Sequence, residues 1–116
     1  MRLVHHSTLT VDRWQQLSLC ERLANVGSEV HRAINWRVRN PKYAELAVER
    51  ALELMDLTLL TVQGVGPRLR ELARTREALV DYFLGDNQYG STDALWKGYF
   101  DAFAQAAAAG AWRSAG

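Results

Sequence analysis

Apolar positions recur at helical spacing along most of the chain. From Leu69 to Leu84 they are Leu69, Leu72, Ala73, Leu79, Val80, Phe83 and Leu84, and at about 100° per residue they share one arc. Arg76 falls at the middle of that arc. A charge on a face built for burial requires a partner or a ligand.

Local punctuation divides the pattern into four helical segments. Thr10 followed by Asp12 reads as an N-cap with an acid in the first turn, opening a helix over about 10–37. Asn40-Pro41 is a cap followed by a residue suited to the first helical position, and the second helix spans about 41–62. Gly64-Val65-Gly66-Pro67 breaks the chain and starts a third helix over about 67–84. Gly85 supplies a left-handed stop, and a polar stretch ending in Ser91-Thr92 caps a fourth helix over about 93–109. Met1 to Leu9 and the tail after Gly110 read as flexible ends. Sustained alternation at period two is lacking, so no strand is assigned.

Short connections between consecutive helices favour antiparallel neighbours. The expected fold is therefore all-α, a single up-down-up-down antiparallel four-helix bundle over residues 1–116. The first helix offers Leu17, Leu19, Cys20, Leu23, Val26, Gly27, Val30 and Ile34, with Gly27 permitting close approach of another helix. The fourth offers Leu95, Trp96, Tyr99, Phe100, Phe103 and Ala106. The apolar arc of the second helix, holding Leu46, Val48, Ala51, Leu52, Leu54, Met55, Leu57, Leu59 and Leu60, covers well over half the circumference. One four-helix core leaves part of it uncovered, which predicts a homo-oligomer, a two-fold dimer being the commonest closed form. The competing expectation is that the N-terminal segment and the tail carrying Trp112 fold over the surplus.

Composition bounds the function. With 48% hydrophobic and 23% charged residues, the 116-residue chain lies outside the ranges of disordered proteins. No apolar run approaches the ~20 residues that span a bilayer, and the N-terminus lacks a signal-peptide core, so a cytoplasmic location is expected. Cys20 is the sole cysteine, which rules out an intramolecular disulfide. A net charge of +1, from 14 basic and 13 acidic residues, supplies no global field for nucleic acid or anionic lipid.

The candidate chemistry is an inward polar set: His31, Arg50, Thr58, Arg76 and Tyr99. Carboxylates occupy only the edges of the arcs, at Glu29, Glu53, Asp56, Glu77 and Asp81. The first expectation is that these acids turn inward to form a structural ion-pair network. The second places Arg50 or Arg76 at a dimer seam, and the third gives the arginines and Tyr99 an anionic ligand such as a phosphate or nucleotide. Asp86, Asn87 and Tyr89 mark a polar connection whose functional reading is an exposed recognition loop; Tyr89 packed on the helices is the competing one.

The chain has no Glu-x-x-His pair, no zinc spacing, no P-loop, no Gly-x-Gly-x-x-Gly and no Gly-x-Ser-x-Gly, so no metal, cofactor or catalytic residue is assigned. These features point away from an enzyme. They favour a small helical protein acting through homo-oligomerisation and protein–protein interaction, with a nucleotide- or nucleic-acid-related bundle as the alternative.

Overall fold

The computed structural model describes residues 11–62 and 66–115, with side chains through 110. The flexible-end expectation for Met1 to Leu9, the Thr10 cap, Gly64-Val65 and the Trp112 side chain lie outside the described residues. The fold is all-helical, with no strand among the described residues. Its elements are α1 (Val11–Gln15), α2 (Leu19–Trp36), α3 (Pro41–Thr61), α4 (Pro67–Leu84) and α5 (Asp93–Ala115). No helix among them is long and apolar enough to cross a membrane.

The expected first helix is two helices. Ser18 adopts extended backbone, its hydroxyl accepts from the Glu21 amide at 3.1 Å, and its own amide donates to Glu21 Oε1 at 3.0 Å. This reciprocal capping box satisfies two amides that a continuous helix would have bonded internally, so a new helix starts here. The preceding turn closes on itself, with the Leu17 amide donating to the Trp14 carbonyl at 3.1 Å. The break turns Trp14 onto α3, where it is 3% exposed and its indole N–H donates to the Thr58 hydroxyl at 3.3 Å.

Asn40 and Pro41 open α3 as expected, with Asn40 Oδ1 accepting from the Tyr43 amide at 3.1 Å. Thr92 caps α5 through a bond from the Leu95 amide at 3.1 Å. Two terminal expectations are corrected. Gly85 closes α4 in extended backbone, not the left-handed region; a Cβ there would lie 3.1 Å from the Asp81 carbonyl oxygen, which gives glycine its advantage. The left-handed positions fall later, at Asn87 and Gly90. Helix α5 continues through Gly110 to Ala115, because one glycine within an alanine-rich run lowers helix propensity without ending the helix.

The core joins Leu23, Val26, Val30 and Ile34 of α2 to Leu54, Met55 and Leu57 of α3, Leu72 and Leu79 of α4, and Trp96 and Phe100 of α5. Helix α2 lies against both α3 and α5, and α3 also receives α1 and α4. The start of α2 meets the end of α3, where Arg22 Nη1 donates to the Thr61 hydroxyl at 3.1 Å; the end of α2 meets the start of α3, where Ala33 packs with Ala47 and Val48. At Gly27 α2 comes close to α5: a Cβ there would stand 2.5 Å from the Phe100 Cβ.

The broad apolar arc of α3 is thus covered from three sides, by α1, α2 and α4, and Leu60 is its main exposed residue. Surface apolar area collects elsewhere, in part at Leu95, expected on the inner face of the last helix yet 52% exposed, and at Tyr89, 66% exposed. Ala106, from the same expected face, is also exposed.

Candidate functional site

Arg76 is neutralised within the chain. Its guanidinium grips Asp56 of α3 as a fork, Nε on Oδ1 and Nη2 on Oδ2, the second contact at 3.3 Å. Both side chains remain partly open, 35% and 38% exposed. The buried line of α4 is Leu72, Thr75 and Leu79, which leaves Arg76 to one side of it. Thr75 tolerates burial because its hydroxyl donates back to the Glu71 carbonyl at 2.9 Å, a satisfaction that a polar label hides.

The other inward candidates do not converge on Arg76. His31 meets Asp101 of α5 at 2.9 Å, a carboxylate that helical-wheel reasoning passed over. Glu29 pairs with Arg32 on its own helix at 2.9 Å. Thr58 holds Trp14, as described, and donates to the Leu54 carbonyl at 2.8 Å. Tyr99 sits 3.3 Å from the Thr75 hydroxyl. Arg50 and Glu53 are half-buried on α3, and Glu77 is exposed on α4. Among the described residues, no three His, Cys, Asp or Glu side chains gather as metal ligands do.

A polar node between α2, α4 and α5 was not anticipated. Arg37 Nη2 lies 2.6 Å from Asp93 Oδ2, the Tyr82 hydroxyl donates to Asp93 Oδ1, and the Arg37 guanidinium stands 5.9 Å from the Tyr82 ring centroid. Burial acts to raise the Asp93 carboxyl, but the bonds from Tyr82 and Arg37 outweigh it and hold the group below the ordinary aspartate range. Burial, joined by the Asp93 carboxylate, pushes the Tyr82 phenol up. An acid in the first turn of α5 was legible, since Asp93 follows the Thr92 cap. Its partners lie on other helices and leave no local signal.

The connection from α4 to α5 is braced by its own polar groups. The Asp81 carboxylate accepts from the Gln88 and Tyr89 amides at 2.8 and 3.1 Å, while Asn87 exchanges bonds with the Ser91 backbone at 2.8 and 3.0 Å. Of the expected recognition residues, Asn87 is half-buried and spent on this bracing, Asp86 is exposed, and Tyr89 projects.

Tyr89 lines a groove of about 870 Å³ between α4 and α5. The two backbones are joined across it chiefly by side chains, Thr75 to Tyr99 and Tyr82 to Asp93. Trp96 and Tyr99 form its floor, and Arg70, Glu71, Arg74 and Glu77 line its α4 side, with Leu95 on the α5 side. The Trp96 indole nitrogen is buried with no hydrogen-bond acceptor among the described residues. Burial raises the Tyr99 phenol, against the Thr75 hydrogen bond and with the Glu71 charge, which keeps it protonated near neutral pH. Because the Thr75 hydrogen is committed to Glu71, Tyr99 donates to Thr75. The groove thus offers an aromatic floor beneath four exposed charges, two of each sign.

Compared with protein-family models, curated proteins and solved structures, the chain matches none.

Proposed function

We propose that this protein acts through association: a homodimer that presents a protein-binding surface, built on an up-down-up-down antiparallel four-helix bundle of α2 to α5. The bundle reading draws support from the end-to-end pairings around the core, Arg22 with Thr61, Asp56 with Arg76, Tyr82 and Arg37 with Asp93. The observation that carries the association reading is the α4–α5 groove. Its aromatic floor, exposed Leu95 and Tyr89, and rim of both charge signs are what a polypeptide interface uses, with an apolar centre and a polar edge. The Arg76–Asp56 fork engages one of the two inward arginines on which an anion-binding reading rested. The cytoplasm is the compartment we assign, where Cys20 stays reduced.

Sedimentation velocity from 1 to 100 μM, on the order of common dimer affinities, tests the reading. The expected result is a dimer mass that dissociates on dilution. A monomer at every concentration overturns it.

A further inference from the structure

We infer that a second copy of this chain fills the α4–α5 groove with its own α4, running antiparallel across a two-fold axis near Ala73. This rests on the association reading above and specifies its face. The groove side of α4 carries Pro67, Arg70, Glu71, Arg74, Thr75 and Ala78, one stripe at i, i+3, i+4 and i+7 spacing, with Glu77 at its edge. From Pro67 to Ala78 the stripe runs about 16 Å at the helical rise of 1.5 Å per residue, three turns open to a facing helix.

Charge order selects the occupant. Arg70 and Arg74 are like charges one turn apart, an unfavourable arrangement on an isolated helix. Among the described residues none of Arg70, Glu71, Arg74 and Glu77 is held in an ion pair, and all four are exposed. Two positive and two negative groups give no net attraction to a simple anion or cation. A polypeptide with both signs in reverse order satisfies them, and α4 is such a polypeptide. With the axis at Ala73, Arg70 comes within one residue of direct opposition to Glu77 of the partner subunit, and Arg74 within one residue of Glu71 of the partner subunit. Symmetry repeats both relations, so four pairs form from one self-complementary patch. A parallel partner sets like charges against like.

The apolar part fits the same geometry. Leu95 and Tyr89 flank the position of the incoming helix, and Ala78 presents a small side chain where two α4 backbones meet. The ion pairs lie at the rim and set register and partner choice, while Tyr99, Leu95 and Tyr89 supply the buried area.

Charge reversal in two complementary halves tests the assignment. The double variant Arg70→Glu with Arg74→Glu makes all four rim groups acidic, and Glu71→Arg with Glu77→Arg makes all four basic. Each is exposed, and circular dichroism verifies that both variants remain helical. Sedimentation velocity is read on the wild type, on each variant alone and on their equimolar mixture. The expected result is a wild-type dimer, a dissociation constant at least about tenfold weaker for each variant alone, and recovery of the dimer on mixing. A wild-type dimer with both variants unaffected overturns the α4 seam while leaving association standing. Variants that dissociate without recovery on mixing overturn the antiparallel register. A monomeric wild type overturns this inference together with the association reading.

Discussion

Arg76 holds Asp56 through both carboxylate oxygens, tying α4 to α3 at a place still partly open to solvent. Solvent access decides what the pair is worth. A fully buried pair loses about 3–5 kcal/mol when one partner is removed, whereas exposed pairs contribute about 0–1 kcal/mol. Arg76→Met is therefore expected to cost about 1 kcal/mol in urea unfolding, with a coupling to Asp56→Asn of similar size. A loss above about 3 kcal/mol would show that the pair is effectively desolvated.

The two glycines in the middle of α2 and α5 behave oppositely on substitution by alanine. At Gly27 a Cβ meets the Phe100 Cβ at 2.5 Å, and since both atoms are fixed to backbones, the helices must separate. The overpacking cost of about 1–3 kcal/mol exceeds the gain in helix propensity of about 1 kcal/mol. Gly98 has nothing within 4 Å of its Cβ position. Gly27→Ala is expected to lower the thermal midpoint and Gly98→Ala to raise it, the latter by about 0.5–1 kcal/mol of stability. Trimming the ring by Phe100→Leu leaves the Gly27→Ala clash in place, because the contact is at Cβ.

Stability is expected to form a plateau around neutral pH with two identifiable shoulders. Glu21, held down by its bonds to the Ser18 backbone and hydroxyl, and Asp93, held down by Tyr82 and Arg37 against burial, both lose their protons more readily in the folded chain. Their contribution is complete above the ordinary carboxylate range and disappears as pH falls through the folded values. Tyr82 is raised, so its contribution is intact below the ordinary tyrosine range and is lost as pH rises through the folded value. Urea midpoints against pH test both limbs. Tyr82→Phe is expected to weaken the alkaline shoulder, which the likewise raised Tyr99 shares, and to shift the acid limb upward, as Asp93 loses a donor; an unchanged alkaline limb would assign that shoulder to Tyr99 alone.

Helix α4 is expected to open before α2 and α3. Its fully buried residues are Leu72, Thr75 and Leu79, against nine such residues on α3, and its links to α5 are side-chain bonds across a groove. Local opening follows sparse apolar burial. In the dissociated monomer, native-state hydrogen exchange is expected to show α4 amides exchanging faster than those facing the core on α2 and α3. Equal protection across the helices would show that the groove does not loosen α4.

What could be read from the chain divides along a physical line. Asn40-Pro41 and Thr92 act through neighbours one to three residues away, so their helix starts were legible. The Ser18-x-x-Glu21 box was equally local and marks a helix start in full, yet the apolar period running across it from Trp14 to Ile34 masks the break. Gly27 announced a close helix approach without naming Phe100. Asp56 was one of five edge carboxylates that Arg76 might have met; the choice among them depends on how α3 and α4 slide past one another, a property of packed surfaces. The groove is less legible still, being a distance between two helices whose sequences each look fit for burial. Leu95 is apolar and on period, and lies exposed because α4 stands away from it.

Helix α1 has only 5 residues, far fewer than the ~12–15 at which a helix becomes marginally stable alone in water. Nucleation costs it more than its few internal hydrogen bonds return, so its order is borrowed from α3 through Trp14 and Thr58. Helicity over Val11 to Gln15 is therefore a report on tertiary structure: it vanishes when the far half of α3 loosens, and it makes Trp14 a native gauge of cooperativity placed outside the main helices.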